Sequence, residues 1–205
     1  MQPSGAGRSV LYRPLTNDQE IRLLRVRPNI DDGAPLDCTM RTISLDEEFV
    51  YETISYAWGD PATRTAISVD GVKMSITTSL ANALICFRAR DHEPPRTWLW
   101  ADAICINQSD AAERSQQVAI MHRIYSQAAN VRIWLGQGLS HYGRKDRLAA
   151  RAMRLLVSWQ AKLEDTGVSN TPASDSDLEA LAHLINGPYW RRTWSVFLVP
   201  WTCSC

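Results

Sequence analysis

The sequence predicts an α/β domain, a β-sheet whose strands alternate with helices packed on it. Three observations carry this prediction. A short apolar run (97–101), a long stretch of helical period (111–129) and a second β run (131–135) follow one another as strand, helix, strand. Asp70-Gly71 separates two alternating runs, 65–69 and 72–76, which is the short-range signature of a β-hairpin. The segment 49–58 is rich in β-branched and aromatic residues and stops at the turn signal Gly59-Asp60-Pro61.

Taken in order, residues 1–19 carry Gly, Pro, Ser and mixed charges without a period and read as a flexible arm. Residues 21–26 form a short strand, and 36–45 a half-buried one with Leu36, Cys38 and Met40 on one face. The buried strand 49–58 opens into a loop at Trp58. The hairpin 65–76 needs positive φ at both central residues of its turn, which Asp and Gly tolerate. Thr77 or Thr78 caps a helix in which Leu80, Leu84 and Phe87 recur, and 91–95 stop it. After the strand 97–101, Asp110 and Glu113 have the spacing of a capping box that opens the helix 111–129, whose apolar face carries Val118, Met121, Ile124, Tyr125 and Ala128. A crossover of this length makes 97–101 and 131–135 parallel neighbours. Residues 146–164 form a further helix whose basic side reads as solvated, and 166–177 a polar linker. Asp175 or Ser176 then caps a last helix that Asn186-Gly187-Pro188 terminates.

Composition narrows the function classes. With 205 residues the chain is long enough for one core, and 45% hydrophobic with 21% charged residues is ordinary for a globular protein. Lys plus Arg number 22 and Asp plus Glu 22, so no global field draws the chain to nucleic acid or acidic lipid. No apolar run reaches the length of a membrane span and the first ten residues lack a signal-peptide core, so the expected location is the cytoplasm. Five irregularly spaced cysteines read as reduced thiols, and no Cys-x-x-Cys or paired-His spacing suggests a metal site. Eight Trp imply a thick core or an aromatic-lined pocket, the core being the commoner outcome.

In an open sheet, ligands sit beyond the carboxyl ends of strands. Two loops qualify. One offers Tyr56, Trp58, Gly59 and Asp60; the other offers Asp102, Cys105, Asn107 and Gln108. An aromatic face with carboxylate and amide groups suits a nucleotide-like ligand, and Trp58, Asp60, Asp102 and Asn107 are expected to converge there. Each has a plainer role as well. Asp60 suits a turn, Asn107 and Asp110 suit helix caps, Glu113 suits the capping box, and Cys105 between two isoleucines suits a buried small hydrophobe. No residue is assigned as catalytic, and phosphate-loop, dinucleotide and serine-hydrolase motifs do not occur.

The strings ISYAWGD (54–60), TWLWADAICINQSDAAERSQQVAIMHRIYSQAANVRIWLG (97–136) and PYWRRTW (188–194) closely resemble the fungal heterokaryon-incompatibility (HET) domain. Tyr56, Trp58, Gly59, Trp100, Asp102, Cys105, Asn107, Gln108, Asp110, Glu113, Arg114, Gln117, Met121, Tyr125 and Gly136 occupy positions of its pattern. The resemblance implies a HET domain over 20–194, with core motifs at 50–136. It also implies a role in fungal non-self recognition, as an effector or signalling module for programmed cell death that self-associates or meets other incompatibility proteins.

HET domains are in turn similar to Toll/interleukin-receptor (TIR) domains. This implies a flavodoxin-like, largely parallel sheet flanked by helices, in which 51–60, 97–102 and 131–136 are the first three strands, the hairpin 65–76 is an insertion and further strands precede it. Several TIR domains cleave NAD, so NAD as substrate or ligand is the alternative expectation; no cofactor is otherwise implied. Family members usually carry Trp-x-x-Gln-Glu where this chain reads Trp194-Ser-Val-Phe, so the Glu that would stabilise an oxocarbenium-like state is missing and the chain is expected to be inactive on NAD. Residues 195–205, apolar to the last, read as an atypical, truncated tail.

Overall fold

A computed structural model describes residues 11–136 except 30, 32 and 91–96, and residues 151–191 except 157 and 160–172. The described residues fall into two compact units divided between Ile133 and Trp134. The expected tail 195–205, the linker residues 166–172 and most of the expected helix 146–164 lie outside the described residues.

The first unit is built on a seven-stranded sheet of order β5-β4-β2-β1-β6-β3-β7. Its strands are β1 (Glu20–Val26), β2 (Asp37–Ser44), β3 (Tyr51–Tyr56), β4 (Arg64–Val69), β5 (Val72–Thr77), β6 (Trp98–Trp100) and β7 (Asn130–Trp134), and its helices are α1 (Thr78–Arg90), α2 (Asp102–Cys105) and α3 (Ala111–Gln127). The Asp70-Gly71 hairpin forms as expected: β4 and β5 are antiparallel with Val69 opposite Val72, and the turn residues have φ of 48° and 78°.

The sheet is mixed, which corrects the expectation of a largely parallel one. β1 pairs antiparallel with both β2 and β6, whereas β2–β4 and β3–β6 are parallel. The physical reason lies in the amino-terminal strands: residues 27–36 alone join β1 to β2, fewer than the dozen or so that a parallel crossover needs, so the chain folds back antiparallel. A second correction concerns β6 and β7. They were expected side by side, but they flank β3. Helix α3 carries the chain across β3 and is tied to it there, with the Tyr51 hydroxyl donating to the Ile124 carbonyl at 2.7 Å and the Ala129 N–H to the Tyr51 carbonyl at 2.8 Å.

Register decides which residues share a face. Leu24 lies opposite Leu99, and Cys38 beside Val69; this face meets α1, whose Leu80 and Leu84 are fully buried. Burying each such leucine stabilises the fold by about 1.5–3 kcal/mol. The opposite face carries Tyr51 and Trp100, and the fully buried Trp100 ring meets Tyr125 of α3 edge-on, centroids 5.7 Å apart.

The second unit contains helical residues 151–156 and 158–159, α4 (Asp175–Ile185) and a 3₁₀ turn, Pro188–Arg191. Ala152, Ala180 and Leu184 form its small core, with Leu135, Met153 and Leu181 against it. Ser174, not Asp175 or Ser176, is the N-cap of α4, and it closes a complete capping box with Asp177. Among the described residues no helix is long and apolar enough to cross a membrane.

Candidate functional site

β3 and β6 run parallel in register, Tyr51 beside Trp98 and Thr53 beside Trp100, so their carboxyl ends emerge together. At that edge Asp102 opens α2 and is 8% exposed. Its Oδ1 accepts the Tyr56 hydroxyl at 3.0 Å and the Ala103 N–H at 2.8 Å, and its Oδ2 accepts the Trp58 indole N–H at 3.2 Å. Gln108 reaches back to donate its amide to the Asp102 carbonyl at 2.9 Å. Tyr56, Trp58, Asp102 and Gln108 thus form one cluster. Gly59 follows with φ of 73°, a conformation glycine adopts without strain, and a β-carbon there would stand 3.1 Å from Ser79 Cβ. Ser79 in turn donates its hydroxyl to the Ala57 carbonyl at 2.7 Å, holding the loop against α1.

Asp60 and Asn107 were expected to join this cluster, but their side chains serve local turns. Asp60 Oδ1 accepts the Ala62 N–H at 2.8 Å, and Asn107 Oδ1 accepts the Ser109 N–H at 3.3 Å. Cys105 is fully buried. Burial pushes its thiol up to about 12, so at neutral pH it is a protonated, unreactive sulfhydryl that accepts the Ala101 N–H.

The 102–108 segment lay in an expected loop; the structure gives it one helical turn and anchors it from below. Asp110 caps α3 as anticipated, accepting the Ala112 and Glu113 N–H groups at 2.9 and 3.1 Å. Glu113 departs from the capping box. Its Oε1 accepts the Asn107 N–H at 2.7 Å, and both oxygens take the Arg22 guanidinium, at 2.6 and 2.9 Å. Burial works to raise the Glu113 pKa, but the hydrogen bonds from Arg22 and Asn107, with the Arg22 charge, outweigh it and hold the carboxyl below its usual range. A charge buried in β1 explains the departure: Arg22 is 2% exposed and requires an anion.

Arg22 also donates to the carbonyls of Cys105 at 3.2 Å and Arg13 at 2.7 Å, and its Cζ lies 5.2 Å from the Tyr12 ring centroid. The Tyr12 hydroxyl donates to the Ile104 carbonyl at 3.0 Å, and Gln116 donates to the Asn17 carbonyl at 3.2 Å. Residues 11–19 are therefore docked along the 102–108 segment and α3, which corrects the expectation of a flexible arm over that stretch; residues 1–10 lie outside the described residues. Sequence reasoning overlooked Tyr12 and Arg22. The available signal was an arginine inside the apolar run Ile21-Arg22-Leu23-Leu24.

The sequence profile of the family described as Heterokaryon incompatibility protein (HET) matches residues 51–196, more than half of the chain. The chain belongs to the HET family. A curated relative, "Heterokaryon incompatibility protein 6, OR allele" of Neurospora crassa (strain ATCC 24698 / 74-OR23-1A / CBS 708.71 / DSM 1257 / FGSC 987), is 37% identical over an alignment of 136 residues that covers 60% of this chain and 20% of the relative. The matched part thus spans about a fifth of that relative's length. No solved structure matches.

Within this HET domain, several motif side chains have structural partners. Gln117 donates its amide to the Glu20 carbonyl at 2.9 Å, and Arg114 its guanidinium to the Gln108 carbonyl at 3.0 Å. Trp58 differs: with its indole N–H held by Asp102, its ring remains 44% exposed. The HET cluster therefore offers a fixed aromatic surface above an anchored carboxylate.

Proposed function

We propose that this HET domain is an effector or signalling module of fungal non-self recognition whose output is programmed cell death, and that it works by association with itself or with other incompatibility proteins. Family membership and the likeness to the Neurospora incompatibility protein support this reading. One structural observation carries it: both oxygens of Asp102 accept hydrogen bonds from Tyr56, Trp58 and Ala103, and the Cys105 thiol is buried and protonated, so the motif braces a fold. The test is expression of the chain in a compatible fungal strain, with vital-dye counts of dead cells. Death above the vector control is expected, reduced by Asp102→Ala; viability equal to the control at matched protein level sinks the reading.

The order β6-β3-β7 supports a second reading, TIR-like NAD hydrolysis: if 51–60, 97–102 and 131–136 correspond to the first three strands of a TIR domain, that order is the 2-1-3 arrangement of flavodoxin-like sheets. Glycosidic cleavage through an oxocarbenium-like state calls for a carboxylate beside the sugar, and loss of such a group costs about a hundredfold or more in rate. With Ser-Val-Phe after Trp194, purified chain should release nicotinamide no faster than uncatalysed hydrolysis. Robust release abolished by Asp102→Ala would establish the enzymatic reading instead.

A further inference from the structure

We propose that the first unit pairs two-fold with a second copy through a patch in which Arg25 and Arg41 of one copy meet Glu47 and Glu48 of the other around Phe49, Val50 and Trp98. The patch is a row of two touching rings flanked by two cations, drawn from four segments. The Arg25 guanidinium carbon lies 4.6 Å from the Trp98 ring centroid, Trp98 meets Phe49 edge-on at 6.3 Å, and the Arg41 guanidinium carbon lies 5.1 Å from the Phe49 centroid. Strand register puts the two arginines on one face, since Arg41 opposes Leu23 and Arg25 opposes Thr39.

Three features make this row suited to an interface. Among the described residues, neither arginine has a carboxylate partner, although Arg22, Arg27, Arg123, Arg132 and Arg151 all do. A guanidinium stacked on a ring is weakly hydrated and already oriented, so less freedom is lost when it takes a carboxylate. The exposed Glu47 and Glu48, which adjoin Phe49 in the chain, likewise have no cation partner among the described residues. Val50, next to Phe49 in the chain, is 77% exposed.

The mixture of signs selects the occupant. A purely basic patch would fit an acidic partner, whereas unpaired cations and unpaired anions around one apolar centre are complementary to the same patch turned by 180°. The ring faces covered by guanidinium are also closed to stacking by nucleic-acid bases. A two-fold axis near Val50 brings each arginine pair to the partner's glutamates and buries the two valines together.

The inference rests on the association reading above, and a charge-swap experiment on the purified 205-residue chain tests it separately. Sedimentation should show concentration-dependent dimerisation that weakens with salt. Arg25→Glu/Arg41→Glu and Glu47→Arg/Glu48→Arg should each weaken it by about tenfold or more while leaving the circular-dichroism melting curve in place, and Val50→Asp should do the same. Mixing the two charge variants should restore dimers, because every cross-pair is then opposite in sign. A wild-type chain monomeric to roughly 100 μM, dimers indifferent to these substitutions, or charge variants that stay apart when mixed would overturn the proposal. A monomeric chain that still kills cells would overturn this surface alone; a chain that dimerises as described yet leaves cells viable would overturn the cell-death reading alone.

Discussion

The indole N–H of Trp58 donates to Oδ2 of Asp102 at 3.2 Å, joining loops that leave β3 and β6 across 44 residues of sequence. With the Tyr56 hydroxyl on Oδ1, one carboxylate ties together the two segments that carry the densest motif residues. Removing it takes one acceptor from a buried phenol and one from an indole N–H, at a cost of about 1–3 kcal/mol. Asp102→Ala should lower stability by that amount in chemical denaturation, and native Trp fluorescence should shift to the red as Trp58 swings into solvent. An unchanged midpoint and spectrum would show that the tie contributes nothing.

The Arg22–Glu113 pair should be the most costly polar contact to break. Its side chains are 2% and 9% exposed, and removing one partner of such a pair typically costs about 3–5 kcal/mol. Glu113→Ala should destabilise by this order and should make residues 11–19 accessible to limited proteolysis, because Arg22 then has no anion while it holds the Arg13 carbonyl.

The same pair sets a pH dependence. The Glu113 pKa is lowered from 4.5 in the fold, so its contribution is fully present above 4.5 and is lost as pH falls through the lower folded value. The stability gap between wild type and Glu113→Gln should therefore be widest at neutral pH and shrink in acid. A gap that grows as pH falls would reverse the assigned sign.

Cysteine reactivity separates the buried thiols from the rest. Burial pushes both Cys38 and Cys105 up to about 12, whereas Cys86 is half-buried. Mass spectrometry after brief maleimide labelling of the native chain should find Cys86 modified and Cys38 and Cys105 modified only in denaturant. Rapid native labelling of Cys105 would restore it as a candidate nucleophile.

Two glycines with positive φ should differ in tolerance. At Gly71 nothing stands within 4 Å of an added β-carbon, so Gly71→Ala carries only the left-handed penalty of about 1–2 kcal/mol. At Gly59 the same strain is joined by Ser79 Cβ at 3.1 Å. Gly59→Ala should thus lower the melting temperature further than Gly71→Ala, and the opposite ranking would count against the loop geometry described.

Much of the local structure was legible in the residues because its determinants are local. Asp70-Gly71 alone specifies a hairpin turn, Asp110 alone supplies an N-cap, and the 3.6-residue period of 111–127 specifies a helix whatever it packs on. The HET motifs were likewise legible as strings. Other features were not, because they depend on groups distant in sequence. Whether β6 and β7 touch depends on where α3 lands, and the hydroxyl of Tyr51 on the Ile124 carbonyl places it across β3. The destination of Glu113 depends on a charge 91 residues away in β1: its helix end offers one N–H, but a buried guanidinium offers two stronger donors and carries a large penalty if left unpaired. In the same way Asp60 and Asn107 stayed with their own turns while Asp102 was taken by Tyr56 and Trp58. A carboxylate forms its bonds with the donors nearest in space, and for a strand end in a mixed sheet only the tertiary fold decides which those are.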